Sequence, residues 1–109
     1  MFLMTAGNWM SSMYMKVHRA RGEGEVVAVC DDELINRTLR HGEAKVPISD
    51  SFYGDRPVPD EEVREALLGA CNINLFGHRA VALARELGLV DEACCLVIDG
   101  VPHAQVYLL

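Results

Sequence analysis

Positive charge is scarce in this chain. Ten Lys and Arg stand against 16 Asp and Glu, a formal charge of −6 over 109 residues. That balance opposes the counterion release that drives non-specific nucleic-acid binding, so any RNA contact has to be a local patch and no DNA partner is expected. Long apolar runs are also missing. The most apolar-looking stretch, residues 1–15, is interrupted by Thr5, Gly7, Asn8, Ser11 and Ser12 with no cation ahead of it. It therefore matches neither a secretory signal nor the ~20 apolar residues of a membrane helix. No C-x-x-C pair occurs, and Cys94 and Cys95 are adjacent, a spacing that hinders both from gripping one tetrahedral metal. Reduced thiols, no metal, no cofactor and a cytoplasmic location are expected. G-x-x-x-x-G-K-[ST], G-x-G-x-x-G and H-E-x-x-H are all absent, which leaves nucleotide hydrolysis, dinucleotide chemistry and zinc proteolysis without support.

What is present suffices for one core. Half the residues are hydrophobic and 24% charged, a composition that folds, and 109 residues leave no room for a second domain. All five methionines fall in residues 1–15. Residues 1–12 read as an N-terminal extension, consistent with a start assigned upstream of the native one, with Trp9 able to pin it to a neighbouring surface; residues 13–109 read as the domain.

Residues 13–19 alternate, with Met13, Met15 and Val17 on one face and Tyr14, Lys16 and His18 on the other, and residues 25–30 are nearly all apolar; with a turn at 21–24 they predict a hairpin. Asp31, Asp32 and Glu33 followed by Arg37, Arg40, His41 and Gly42 give the charge order of a short helix over about 32–40, with Leu34, Ile35 and Leu39 inward. Residues 45–48 predict a weak edge strand limited by Pro47, and 49–58 a loop. Asp60, Glu61 and Glu62 open a helix carrying Val63, Ala66, Leu67 and Ala70 at i, i+3, i+4, i+7, ending near residue 70. A third helix is expected from about Leu75 to Leu87, with Phe76, Ala80, Leu83 and Leu87 inward and Gly88 as terminator. Residues 93–98, the Asp99-Gly100 turn signal and residues 101–109 make a final hairpin. The order ββ-α-β-αα-ββ specifies an α+β domain, mainly antiparallel, with helices packed on one face.

Three segments together, Ser51-Phe52-Tyr53-Gly54, Asn74-Leu75-Phe76-Gly77-His78-Arg79-Ala80-Val81 and Gly100-Val101-Pro102-His103-Ala104-Gln105-Val106, with the opening Met13-Tyr14-Met15-Lys16-Val17-His18, resemble the small archaeal family known as domain of unknown function 424. The resemblance covers residues 13–109. It implies a role associated with RNA or the translation apparatus and carries no mechanism.

The residues themselves offer a few candidate contacts. Asn74, Gly77, His78 and Arg79 lead into the third helix, where free N–H groups and the dipole favour a phosphate or carboxylate; the plainer alternative is that Asn74 caps the helix, Gly77 packs on the sheet and Arg79 is solvated. His103 and Gln105 share a strand face and can both bond a ligand. No carboxylate or nucleophile stands at recognisable spacing from His103, so binding is favoured over turnover. Tyr53 in its glycine-flanked loop can stack on a base or anchor the loop. His18, Arg19 and Arg21 form one basic cluster, and Arg37, Arg40 and His41 another; they make one patch only if the hairpin and first helix adjoin. The missing catalytic grouping points to a binding or adaptor domain, for which the family resemblance implies an RNA or ribonucleoprotein partner; a protein partner or a homodimer is also expected. The alternative is a small enzyme or sensor for a phosphorylated or carboxylated metabolite, with His103 as acid or base.

Overall fold

The computed structural model describes residues 13–20, 24–91 and 95–107. The extension at residues 1–12, Arg21 and Cys94 lie outside them. The first pair forms as the alternation requires: β1 (Met13–Ala20) and β2 (Gly24–Asp31) run antiparallel in the register Met13↔Asp31 to Ala20↔Gly24.

Beyond Asp31 the chain departs from the expected helix. A single 3-10 turn (Asp32–Leu34) ends at once, because Ile35 is extended and Asn36 takes a left-handed φ of 64°. The chain then forms a two-stranded ribbon of β3 (Thr38–His41) and β4 (Ala44–Pro47), closed at its base by Asn36 N–H to Ile48 O, 2.7 Å, and Ile48 N–H to Arg37 O, 2.8 Å. Gly42, with φ 64°, opens its tight turn. The acid-then-base order that suggested a helix dipole has a different cause: Asp32 and Glu33 are the partners of Arg79.

The segment at 49–58 holds a one-turn helix, α1 (Asp50–Tyr53), and a two-residue strand, β5 (Pro57–Val58). The second helix forms as expected, α2 (Asp60–Leu68), with Val63 and Leu67 buried. A further departure follows. Asn72 to Phe76, read as a cap and a helix start, form β6 (Asn72–Phe76), buried at every residue, and the third helix begins only at α3 (His78–Glu86). Asn72, Asn74 and Phe76 sit on one face and Ile73 and Leu75 on the other, a two-residue period in which the asparagines belong to a strand face. Gly88, φ 79°, ends the helix region as anticipated, and β7 (Leu96–Ile98) and β8 (Val101–Tyr107) flank Asp99 and Gly100, both at positive φ.

The main sheet has the order β5-β1-β2-β6-β8-β7 and is antiparallel except for β2 with β6. The α+β class with one domain is therefore as expected. The helices α2 and α3 cover the face bearing Val27, Val29, Ile73 and Leu75, and the opposite face packs Ala28, Cys30 and Phe76 under Leu34, Leu39, Ile48 and Tyr53. This second covering, a ribbon and a short turn, is what the sequence reading lacked. Among the described residues no helix is long and apolar enough to cross a membrane.

Candidate functional site

Register fixes which side chains share the second face. Three rows cross the sheet there: Tyr14, Cys30, Phe76, His103 and Leu96; Lys16, Ala28, Asn74 and Gln105; His18, Val26, Asn72 and Tyr107. Tyr53, Asn74, His103 and Gln105 are thus brought to one face, and the structure engages three of them internally. Tyr53 Oη donates to Asn74 Oδ1 at 2.6 Å, and burial pushes the Tyr53 phenol well above its ordinary value. The His103 ring lies 4.6 Å from that of Phe76. Its Nδ1 is 2.9 Å from Leu75 O, and since a carbonyl only accepts, Nδ1 carries the proton and Nε2 the lone pair. Burial lowers the His103 pKa more than that bond raises it, which favours the neutral ring. Rings continue across the face from Phe76 to Tyr53, Phe52 and His18, the last two stacked at 4.7 Å.

Gln105 is exposed, and beyond it Tyr107 is 71% exposed. Beside them Asn72 is only 9% exposed, and its Oδ1 has no hydrogen-bond partner. Sequence reasoning missed Asn72 and Tyr107. The signal was available: the i, i+2 step that joins His103 to Gln105 continues to Tyr107, and Asn72-x-Asn74 repeats it on β6.

The start of α3 is a different place. Asp31, 1% exposed, points its carboxylate at the helix end: Arg79 N–H donates to Oδ2 and Ala80 N–H to Oδ1, each at 2.9 Å. The anion that this helix end favours is supplied by the chain itself. Burial pushes the Asp31 pKa up, and the two N–H bonds oppose the shift. Gly77, φ 116°, makes the approach possible, because a Cβ there would lie 2.6 Å from either carboxylate oxygen. Asn74 is not the cap. His78 is exposed, while the Arg79 guanidinium is 3.3 Å from Asp32 and 2.7 Å from Glu33 and lines a groove of about 180 Å³ between α2 and α3, away from the second face.

The described members of the two basic clusters do not merge. His18 Nε2 donates to Phe52 O at 2.8 Å, and Arg19 is ion-paired with Glu25 at 2.7 Å. Arg37 and Arg40 belong to the ribbon, which abuts β7, four strand spacings from β1, roughly 19 Å. A cleft of about 450 Å³ opens by β5, lined by Lys16, Ser51, Asp55, Arg56, Val58 and Glu62, and Tyr53, Asn74, His103 and Gln105 take no part in it. Among the described residues no three metal-ligating side chains cluster. Cys30 is buried, and burial with the adjacent acids pushes its thiol up to about 12.

These features define a one-domain α+β protein with a covered sheet and a partly open polar stretch on β8. The family model described as Protein of unknown function (DUF424) matches residues 18–109, and the chain belongs to that family. It is similar, at 27% identity and a TM-score of 0.76 over 91% of this chain and 93% of the other, to the crystal structure of an uncharacterized conserved protein from the archaeon Methanopyrus kandleri. No curated protein matches it. The segments behind the resemblance meet in the fold: Tyr53 bonds Asn74, Gly77 N–H donates to Pro102 O at 2.8 Å, and His103 bonds Leu75.

Proposed function

We propose that this chain is a non-catalytic recognition module of the cytoplasm that docks on an RNA-containing assembly and takes an unpaired base on the open part of its second sheet face. The observation that supports this is the group on β6 and β8: exposed Gln105 and Tyr107 beside Asn72, whose carbonyl is unpartnered. A carboxamide offers a donor and an acceptor to a base edge, and a tyrosine ring offers a stacking surface worth ~1–3 kcal/mol per base. The metabolite-enzyme reading has less behind it. His103 is tied to a backbone carbonyl, and Asp31 already occupies the helix end that would hold the substrate's anion.

Fluorescence anisotropy with labelled single-stranded RNA octamers of differing sequence tests the proposal. Binding is expected, with Tyr107→Ala and Gln105→Ala each weakening it about tenfold while far-UV circular dichroism is unchanged. Absence of binding to every octamer, or variants that bind like the native chain, overturns it.

A further inference from the structure

The ribbon carries a like-charged cross-strand pair. In β1 and β2, Arg19 stands directly opposite Glu25. Arg64 lies between Asp60 and Glu86, and Arg79 meets Asp32 and Glu33. In the ribbon, by contrast, Arg40 stands directly opposite Lys45, both exposed, and exposed Arg37 precedes the strand. None of these three side chains has a hydrogen bond or ion pair among the described residues. Like charges facing each other across an antiparallel pair destabilise it, and a two-stranded ribbon has little stability to spare. Within residues 37–48, Arg37, Arg40 and Lys45 stand against Glu43 alone, and Asp99 accepts the Arg40 backbone N–H at 3.1 Å, in a chain whose total is −6.

We infer that the outer face of the ribbon is a phosphodiester contact, in which Arg40 and Lys45 hold backbone phosphates of a single nucleic-acid strand. This rests on the RNA reading above and adds its second half. The ribbon's core residue Leu39 packs in the same cluster as Ile98, which pairs with Val101 at the start of β8. From Val101 to Tyr107 is six residues of strand, about 20 Å, a span of a few nucleotides. Phosphates are gripped at the ribbon while a base reaches Tyr107. A planar guanidinium suits a phosphate's paired oxygens, and an ammonium beside it adds a point charge.

The test is the salt dependence of binding to a labelled single-stranded RNA dodecamer. Each phosphate neutralised contributes ~0.7 to the slope of log affinity against log salt for single strands. The Arg40→Ala/Lys45→Ala double variant is expected to lower that slope by about 1.4, whereas Tyr107→Ala weakens binding with the slope intact. Relief of the like-charge pair means the double variant melts no lower than the native chain, so loss of binding is not loss of fold. RNA binding with an unchanged slope in the double variant overturns the ribbon assignment and leaves the sheet-face reading standing. Absence of RNA binding by the native chain overturns both. Binding of poly-glutamate but not RNA, lost in the double variant, shows a site for acidic protein and overturns the phosphodiester assignment.

Discussion

Asp31, buried, and His103, half-buried, are both titratable groups tied to backbone. Asp31 closes the N–H groups of Arg79 and Ala80, and His103 donates to Leu75 O. Their pKa directions follow from burial, and the consequence for stability can be worked out for His103. Its folded pKa lies below the ordinary 6.5. As pH falls through that ordinary value, the unfolded chain takes up a proton that the folded ring resists, so the unfolded state binds more protons and stability drops. Urea denaturation at a series of pH values should therefore show stability falling below about pH 6.5, with the fall shallower in His103→Gln. Asp31, shifted up, contributes with the opposite sign at more acidic pH and is unaffected by that substitution. An NMR titration in which the His103 ring protonates at or above the ordinary histidine value would contradict the account.

At the scale of elements, the join between β2, β6 and α3 depends on one glycine. Gly77 holds φ 116° while its missing side chain admits the Asp31 carboxylate. Gly77→Ala should cost about 3 kcal/mol, combining a left-handed backbone penalty with the displacement of a buried carboxylate from two N–H groups. Thermal unfolding measures it, and a loss under 1 kcal/mol would mean the helix end tolerates another arrangement. Elements with a single strong period were legible in the sequence: the 13–19 alternation, the Val63 and Leu67 stripe, and the Asp99-Gly100 turn all formed. The misreadings share a physical origin. Asn72 and Asn74 favour caps by local chemistry, yet the sheet buries Asn74 because Tyr53, 21 residues away, supplies its partner. Asp32 and Glu33 favour a helix start, yet their partner is Arg79, more than forty residues on. Local preference yields wherever a distant residue satisfies the polar group, and one sequence does not reveal which distant residue that is. The same limit applies to the site. His103 and Gln105 were placed on one face by period alone, and the same step reaches Asn72 and Tyr107, whereas the missing partner of Asn72 Oδ1 and the facing of Arg40 by Lys45 became visible only in the folded chain.

At the scale of the whole molecule, the six-stranded sheet is the shared wall of two apolar clusters. One lies under α2 and α3 and includes Leu67, 0% exposed; the other lies under the ribbon and α1 and includes Leu39, 4% exposed. The second cluster is covered by the shorter elements, so it is the place where cooperativity is tested. Because β2 and β6 contribute alternate side chains to both clusters, loosening one side moves the backbone that the other packs against, and the domain should unfold in one step. Leu67→Ala and Leu39→Ala remove comparable buried side chains from opposite sides, at a cost of ~2–5 kcal/mol each. In urea both should shift the midpoint of a single transition and leave its slope unchanged, since the surface exposed on unfolding is the same. If Leu39→Ala instead gave a second, earlier transition or a reduced slope, the ribbon side would be melting on its own. The sheet would then couple the clusters less tightly than its alternating side chains require.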